Sequence, residues 1–124
     1  MPNSKPLAKK DLSRVNLASD DLHGADLHET TLHQATLVET NLDGADLTRA
    51  DLSKANLGGA SLRDTSAQEA NFEDSDLRDA DLCGARLDGA RMRGARMRDE
   101  QRAEAEAAGA FMDDPPDPEI ASPT

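Results

Sequence analysis

Leucine recurs at every fifth residue over most of the chain. All 15 leucines, from Leu7 to Leu87, occupy a single five-residue register. Other apolar residues continue this register where leucine is absent: Ala67, Phe72, Met92 and Met97. From Leu17 to Met97, the residue two positions before each centre is mostly alanine. From Leu12 to Leu82, the residue directly before each centre is Asp, Asn, Thr or Ser. A sustained internal repeat constrains the fold more strongly than local propensity does.

A period of five fits neither regular secondary structure. On an α-helix the leucines would advance by about 140° at each step and spiral around every side. On a β-strand they would point alternately to opposite sides. The remaining solution is a chain that turns by roughly 90° in each repeat, so that about 20 residues close a square coil with every leucine directed inward. Alanine fits the second inward position because a narrow interior has no room for two large side chains per repeat.

The composition excludes several classes of protein. The chain has 124 residues, 25 acidic against 14 basic, and a net charge of −11. Such a composition is typical of disordered chains, so the burial of leucine, about 1.5–3 kcal/mol for each, must stabilise the fold. No apolar run approaches the ~20 residues of a membrane span, and no secretory signal follows the basic start. The single cysteine, Cys83, favours a cytoplasmic protein, and the acidic excess disfavours direct binding to nucleic acid or membranes.

The repeats also have the pattern of a known family. Segments such as GADLT, RADLS, KANLG, RDADL and CGARL resemble the A-(D/N)-L-x-x repeats of the pentapeptide-repeat family, over about residues 11 to 99 and about 18 repeats. The resemblance implies an all-β solenoid, a right-handed quadrilateral parallel β-helix of about 4.5 coils stacked at ~4.8 Å. It implies no single function, because functions vary widely across the family.

Stacking of the coils predicts four interior columns of residues 20 apart. The four faces of the solenoid are named after them: the first, second, third and fourth faces are centred on Leu12, Leu17, Leu22 and Leu27. Phe72, the largest of the inward centres, comes one repeat after Ala67, the smallest. We expect the side chain of Phe72 to occupy space that the small side chain of Ala67 leaves.

We divide the chain into four segments: an N-terminal segment 1–10, the β-helix 11–98, a short capping helix 99–112 and a flexible, Pro-rich, acidic tail 113–124. The capping helix has a predicted apolar face of Ala103, Ala107, Ala110 and Phe111. We expect this face to close the coil over Met92 and Met97. Because Asp20 occupies an inward alanine position, we expect the first coil to be loose or solvated.

No constellation of side chains predicts catalysis. His23, His28 and His33 fall on three successive faces and diverge, so a shared metal ion is not expected. Cys83 has an outward position, and His23 in its column lies three coils away, roughly 14 Å, too far to act as a base. A solenoid surface offers no pocket that would raise the pKa of a carboxyl group. We therefore predict no enzymatic activity, no cofactor and no bound metal.

Negative charge is concentrated on two adjacent faces. Between residues 11 and 99, the third and fourth faces sum to −4 and −3, whereas the first and second sum to 0 and −1. The candidate partner-binding residues are the acids of the third and fourth faces: Asp21, Asp26, Glu29, Asp43, Asp46, Asp64, Glu69, Asp81 and Asp88. An arginine cluster between residues 82 and 102 reverses the charge at the C-terminal end. A surface that only keeps the protein soluble is the simpler interpretation of these acids.

Two functions are compatible with this surface. The one we favour is a rigid, non-catalytic module or scaffold that binds another protein through its acidic faces. The alternative, implied by the resemblance, is a DNA mimic, since some family members resemble B-DNA, bind type II topoisomerases such as gyrase and protect against quinolones. Against this alternative, about 4.5 coils give a rod of ~22 Å, shorter than one duplex turn of ~34 Å. Either partner is a protein, and a homodimer is also compatible with the sequence.

Overall fold

Successive coils are joined to one another along four ladders. The computed structural model describes residues 7–112. Within them, parallel bridges connect residues 20 apart, along ladders that run through positions 11–111, 16–96, 21–81 and 26–86. Each bridge uses one residue of each repeat, so the ladders consist of isolated bridges rather than extended strands. Turns separate the bridges, and four repeats complete each coil, as the leucine period predicts.

All five backbone N–H groups of the repeat that begins at Asn41 have a hydrogen-bond acceptor. In the repeat that begins at Asn41, the N–H of Asn41 donates to the preceding coil at 2.9 Å. The N–H groups of Leu42 and Gly44 donate to the following coil at 2.8 and 2.9 Å, and that of Ala45 closes a turn onto the Leu42 carbonyl at 3.0 Å. The fifth donor, the N–H of Asp43, binds the Oδ1 of Asn41 at 3.0 Å. The repeat therefore buries its backbone without an unsatisfied donor.

The polar residue directly before each leucine, here called the bridge position, takes part in this hydrogen bonding. Its Oδ1 accepts the N–H two residues further on, at 2.9–3.3 Å, in eleven repeats: Asp11, Asn16, Asp21, Asp26, Asn41, Asp46, Asp51, Asn56, Asn71, Asp76 and Asp81. An amide oxygen serves this turn as well as a carboxylate oxygen, which explains the free alternation of Asn and Asp.

The second residue after each leucine, the corner position, has a left-handed backbone. Six glycines have φ between +68° and +77° there, and twelve other residues have φ between +57° and +65°. A turn with positive φ at its third residue favours glycine, and it is most strained for β-branched side chains. None of the twelve is β-branched. The corners that are not glycine therefore carry unbranched charged or polar side chains.

The interior is filled by the leucine and alanine columns. The leucines from Leu22 to Leu87 are at most 2% exposed. Ala67 and Phe72 are both fully buried, so the smallest and the largest interior residues are neighbours within one coil. Hydroxyl residues that replace alanine are buried and donate to backbone carbonyls at 2.7–3.0 Å: Thr30, Thr40, Thr65 and Ser75. Their polar atoms are therefore satisfied inside the core.

The first coil is more open than those that follow. Its apolar residues are only partly buried: Leu7, Leu12, Val15 and Leu17. Asp20 is exposed, as expected for a solvated end. Backbone pairing already begins at Leu7, whose N–H donates to the Asp26 carbonyl at 3.0 Å, four residues before the predicted start of the β-helix. Residues 1–6 and the predicted flexible tail, 113–124, lie outside the described residues.

A single α-helix occurs between residues 7 and 112, α1 (Asp99–Ala107), which is shorter than the predicted 99–112. The chain returns to the ladder at Phe111, whose N–H donates to the Ala90 carbonyl and whose carbonyl accepts the Met92 N–H, both at 2.8 Å. Because Arg91 and Phe111 remain bridged and 20 residues apart, α1 and the turn after it take the place of two repeats.

The predicted apolar face of α1 is wrong. Ala103 and Ala107 are exposed, Ala110 is half-buried, and Phe111 is 42% exposed and lies beyond the helix. The buried residue of α1 is Ala105 instead.

Gln101 gives the physical reason for this orientation. In the preceding coil, the Ala60 carbonyl accepts the backbone N–H of Asp81, at 2.9 Å. In the last coil, the Gln101 side chain takes over this contact, and its Nε2 donates to the Ala80 carbonyl at 2.9 Å and to the Leu77 carbonyl. Its Oε1 accepts the Arg98 N–H at 2.9 Å, which fixes the start of the helix. The inward side of α1 is therefore set by the side-chain amide of Gln101, and the pattern of apolar residues does not predict it.

Removing one bridge-position acceptor should destabilise the solenoid. In Asp51→Ala, the N–H and the hydroxyl of Ser53 lose their acceptor, at 2.9 and 2.6 Å, and we expect the free energy of unfolding to fall by about 1 kcal/mol. Asp51→Asn keeps an oxygen in this place and is the matched control. Urea unfolding followed by circular dichroism measures both variants. Equal stability of the two would contradict a structural role for the acceptor.

Candidate functional site

The nine predicted binding acids occupy outward positions on the third and fourth faces. Asp26, Asp43 and Asp46 are half-buried, and the other six are exposed. All nine are therefore accessible to a partner. They differ in whether their carboxylates accept hydrogen bonds from the backbone.

Four of the nine acids hold their own turns. At 3.0–3.3 Å, the Oδ1 of each accepts the N–H two residues further on: Asp21, Asp26, Asp46 and Asp81. The same contact occurs on the first and second faces, for example at Asp51 and Asp76. An acid in this position therefore does not by itself indicate a binding surface.

Asp43 also serves the backbone, although it is not in a bridge position. Its Oδ1 accepts the Arg63 N–H at 3.0 Å and a hydrogen bond from the Ser61 hydroxyl. Ser61 stands where an Asp or Asn would normally accept this N–H. Asp43 thus supplies, from the preceding coil, the acceptor that the repeat of Ser61 lacks.

Glu29 and Glu69 project from corners of the fourth face, two coils apart, with Arg49 between them. The Arg49 Nε lies 3.5 Å from Glu29 Oε2, and its Nη1 lies 3.2 Å from Glu69 Oε1. The hydrogen bond to Glu69, and then the one to Glu29, raise the pKa of the Arg49 guanidinium. Three charges in one column therefore leave a net negative charge along this edge.

Asp64 and Asp88 each lie beside a glycine of the following coil. A Cβ atom at Gly84 would come within 2.2 Å of Asp64 Oδ1, and one at Gly109 within 2.5 Å of Asp88 Oδ1. The glycines therefore leave room for these carboxylates at the surface. Asp64 and Asp88, like Glu29 and Glu69, accept no backbone hydrogen bond between residues 7 and 112.

Three arginines of the C-terminal cluster pair with acids of the first and second faces. Arg98 Nε lies 2.8 Å from Asp79 Oδ1. Arg91 and Arg93 each lie 3.8 Å from the Glu73 carboxylate. These pairs join residues 18 to 20 positions apart, which a linear count of charge does not detect. They neutralise the first and second faces locally, so the negative charge stays on the third and fourth.

The three histidines lie on three different faces, as expected. The Nδ1 of each bonds to an oxygen nearby: His23 to Asp21 at 2.8 Å, His28 to Asp26 at 2.6 Å and His33 to Ser53 at 2.8 Å. Asp46, one of the nine candidate acids, follows Asp26 by one coil and lies near His28, a proximity that the sequence alone did not predict. The 20-residue column was the signal that could have found it.

Cys83 is exposed, and its N–H donates to Asp81 at 3.0 Å. No helix within residues 7–112 is both long enough and apolar enough to cross a membrane.

The chain is similar to one sequence family and to several proteins of known structure. The family described as pentapeptide repeats matches residues 25–64 and 60–99, with 8 copies. The pentapeptide repeat protein Rfr23 from the cyanobacterium Cyanothece 51142 has 42% identity and a TM-score of 0.71, over 72% of this chain and 60% of that chain. A pentapeptide repeat protein of the Arabidopsis thaliana thylakoid lumen has 28% identity and a TM-score of 0.50, over 86% and 79%.

The plasmid-mediated fluoroquinolone resistance protein QnrB1 is more distant, with 16% identity and a TM-score of 0.28, over 79% of this chain and 66% of that chain. No curated protein matches the sequence.

Four ladders of single-residue bridges, joined by turns every five residues, define a four-sided parallel β-solenoid. The chain belongs to the pentapeptide-repeat family. Proteins of this family form right-handed quadrilateral β-helices and are generally non-enzymatic structural or interaction modules. The chain spans 60% of the length of the cyanobacterial protein Rfr23.

Acid should weaken the ion pairs of the second face. Hydrogen bonds from Arg78 and Arg98 lower the pKa of Asp76 and of Asp79, respectively, below the ordinary 3.8. Because folding favours the ionised carboxylates, their stabilising effect is present at neutral pH and is lost as the pH falls below about 4. We expect the melting temperature to fall in that range.

Asp76→Asn keeps the turn acceptor but loses the charge, so its melting temperature should depend less on pH below about 4. Asp74→Asn is the control, since it removes an exposed charge that forms no ion pair between residues 7 and 112. Thermal unfolding between pH 2 and 7 measures all three proteins. Identical pH profiles for the two variants would contradict the expectation.

Proposed function

We propose that this protein is a rigid, non-catalytic module that binds another protein through its third and fourth faces. The proposal rests on the distribution of charge around the solenoid. Three C-terminal arginines, Arg91, Arg93 and Arg98, pair with acids of the other two faces. Four acids without a backbone task extend along the third and fourth faces: Glu29, Asp64, Glu69 and Asp88.

A solenoid suits this task because its backbone is already fixed by the ladders. A partner that docks on a face orders only side chains, which lowers the entropic cost of association. The negative field of two adjacent faces accelerates encounter with a basic surface and orients it. We infer that the partner presents Lys or Arg side chains at intervals that match the corners.

The alternative is a DNA mimic that binds a type II topoisomerase such as gyrase. The acidic faces favour it, because a cleft that binds phosphates attracts a matching negative field. Two features weigh against it: Arg49 and Arg63 interrupt the negative charge on these faces, and the rod is shorter than one duplex turn. The likeness to QnrB1 is too small to support it.

We infer a cytoplasmic location from the single cysteine of the chain. We also infer that α1 caps the C-terminal end of the β-helix, with Gln101 and Ala105 against the last coil.

The binding faces can be tested with substitutions that do not disturb the turns. The binding-face variant combines Glu29→Lys, Asp64→Lys and Glu69→Lys. The control combines Glu39→Lys, Asp74→Lys and Asp79→Lys on the first and second faces. All six residues have the left-handed corner conformation, in which Lys9 and Lys54 also occur, and both variants change the net charge equally.

Affinity capture from native lysate at physiological salt, with quantitative mass spectrometry, compares the two variants with the wild type. We expect a partner that the wild type and the control retain and the binding-face variant loses by at least about tenfold, or 1.4 kcal/mol. Equal retention by both variants, or equal loss, would contradict the proposal. Inhibition of purified gyrase that only the binding-face variant loses would establish the alternative.

The cap can be tested separately. Deletion of residues 99–124 removes α1 and exposes the last ladder as an open edge, which favours association between copies. We expect oligomers of the truncated protein in light scattering. A folded, monomeric truncated protein would refute the cap.

A further inference from the structure

One cluster on the fourth face combines an imidazole with two carboxylates. Donor atoms of Asp26, His28 and Asp46 all lie within 4.8 Å of one another, and all three residues are half-buried. Asp26 and Asp46 are candidate partner-binding acids, but the proposed protein binding does not involve His28 or the three donors as a group. The cluster lies near the open N-terminal end of the solenoid.

The backbone holds these three residues together. Asp26 and Asp46 form a bridge between the first two complete coils, which stacks their side chains at the ladder spacing of about 4.8 Å. His28 follows Asp26 within the same turn, and its Nδ1 lies 2.6 Å from Asp26 Oδ1. The donor positions therefore depend on the ladder and not on a mobile loop.

The cluster has an excess of negative charge. Two carboxylates in register repel each other, and within residues 7–112 the Asp46 side chain accepts only the Thr48 N–H, at 3.0 Å. Arg49, the corner cation in the same repeat as Asp46, forms its ion pairs with Glu29 and Glu69 instead. A cation placed among the three donors would relieve this repulsion.

The third face contains a natural comparison for this cluster. Asp21 and His23 repeat the arrangement, with Oδ1 and Nδ1 2.8 Å apart, but the residue one coil further on is Asn41. Its Nδ2 donates to Asp21 Oδ1 at 3.3 Å. The amide thus supplies a hydrogen-bond donor where Asp46 supplies a second negative oxygen.

We propose that Asp26, His28 and Asp46 bind a divalent transition-metal ion, with Zn²⁺ as the best-fitting probe. One imidazole nitrogen and two carboxylate oxygens are ligands that Zn²⁺ accepts, and water completes the shell. Small rotations of the three side chains bring the donors to about 2.0–2.2 Å from the ion. The ion takes the place of the proton between Asp26 and His28, and links the first complete coil to the second.

Isothermal titration with ZnCl₂ tests the site on the full chain. We expect one bound ion per chain in the wild type, and binding at least about tenfold weaker in Asp46→Asn. This substitution keeps an acceptor for the Thr48 N–H, because Asn serves the same turn at position 41. His33→Gln is the control, because the His33 imidazole lies on the first face and bonds to Ser53. We expect this substitution to leave the Zn²⁺ affinity unchanged.

Asn41→Asp gives the converse test, because it converts the third-face arrangement into that of the fourth face. We expect a second equivalent of Zn²⁺ to bind. Circular dichroism without metal confirms that each variant is folded. Equal binding by the wild type and Asp46→Asn, or no measurable binding by the wild type, would overturn the proposal, and so would an unchanged stoichiometry in Asn41→Asp.

Discussion

The fold is built on the hydrogen bonding of the backbone N–H groups within each five-residue repeat. Three donate to neighbouring coils and one closes a turn, as in the repeat that begins at Asn41. The fifth needs a side-chain oxygen, and the residue before leucine supplies it. The inward leucine and the alanine column then fill the space that this backbone encloses. A chain with few apolar residues folds because each repeat places one of them at the axis.

The same constraint separates the surface into positions with different freedom. Bridge-position acids such as Asp46 hold turns, so their charge is partly incidental to function. Corner residues carry no such duty, although their left-handed backbone excludes β-branched side chains. Function is therefore most readily encoded at the corners. Glu29, Asp64 and Glu69 lie at such corners on the third and fourth faces. On the first and second faces, Arg91, Arg93 and Arg98 pair with acids instead.

Much of the fold could be predicted from the sequence, because the leucine period reports directly on the interior. The four columns and the burial of both Ala67 and Phe72 were accessible in this way. The inward side of α1 could not be predicted in this way. It is set by the Gln101 side chain, which replaces a backbone N–H as the donor to the Ala80 carbonyl. The turn role of the bridge-position acids was also missed, since a side-chain pattern does not show which N–H lacks an acceptor. Contacts one coil apart, such as Asp26 with Asp46, require the 20-residue column rather than the linear sequence.

Hydrogen exchange of individual backbone amides, measured by NMR, shows whether the side chain before each inward centre protects an N–H of its repeat. The N–H directly after the inward centre of a repeat should exchange slowly where Asp or Asn precedes that centre, as at Thr48 and Ser53. It should exchange fast at Val38 and Gln68, where Thr36 and Ser66 precede and no acceptor lies within residues 7–112. All four residues are half-buried, so exposure alone does not separate them. Equal exchange rates at the four amides would contradict the account.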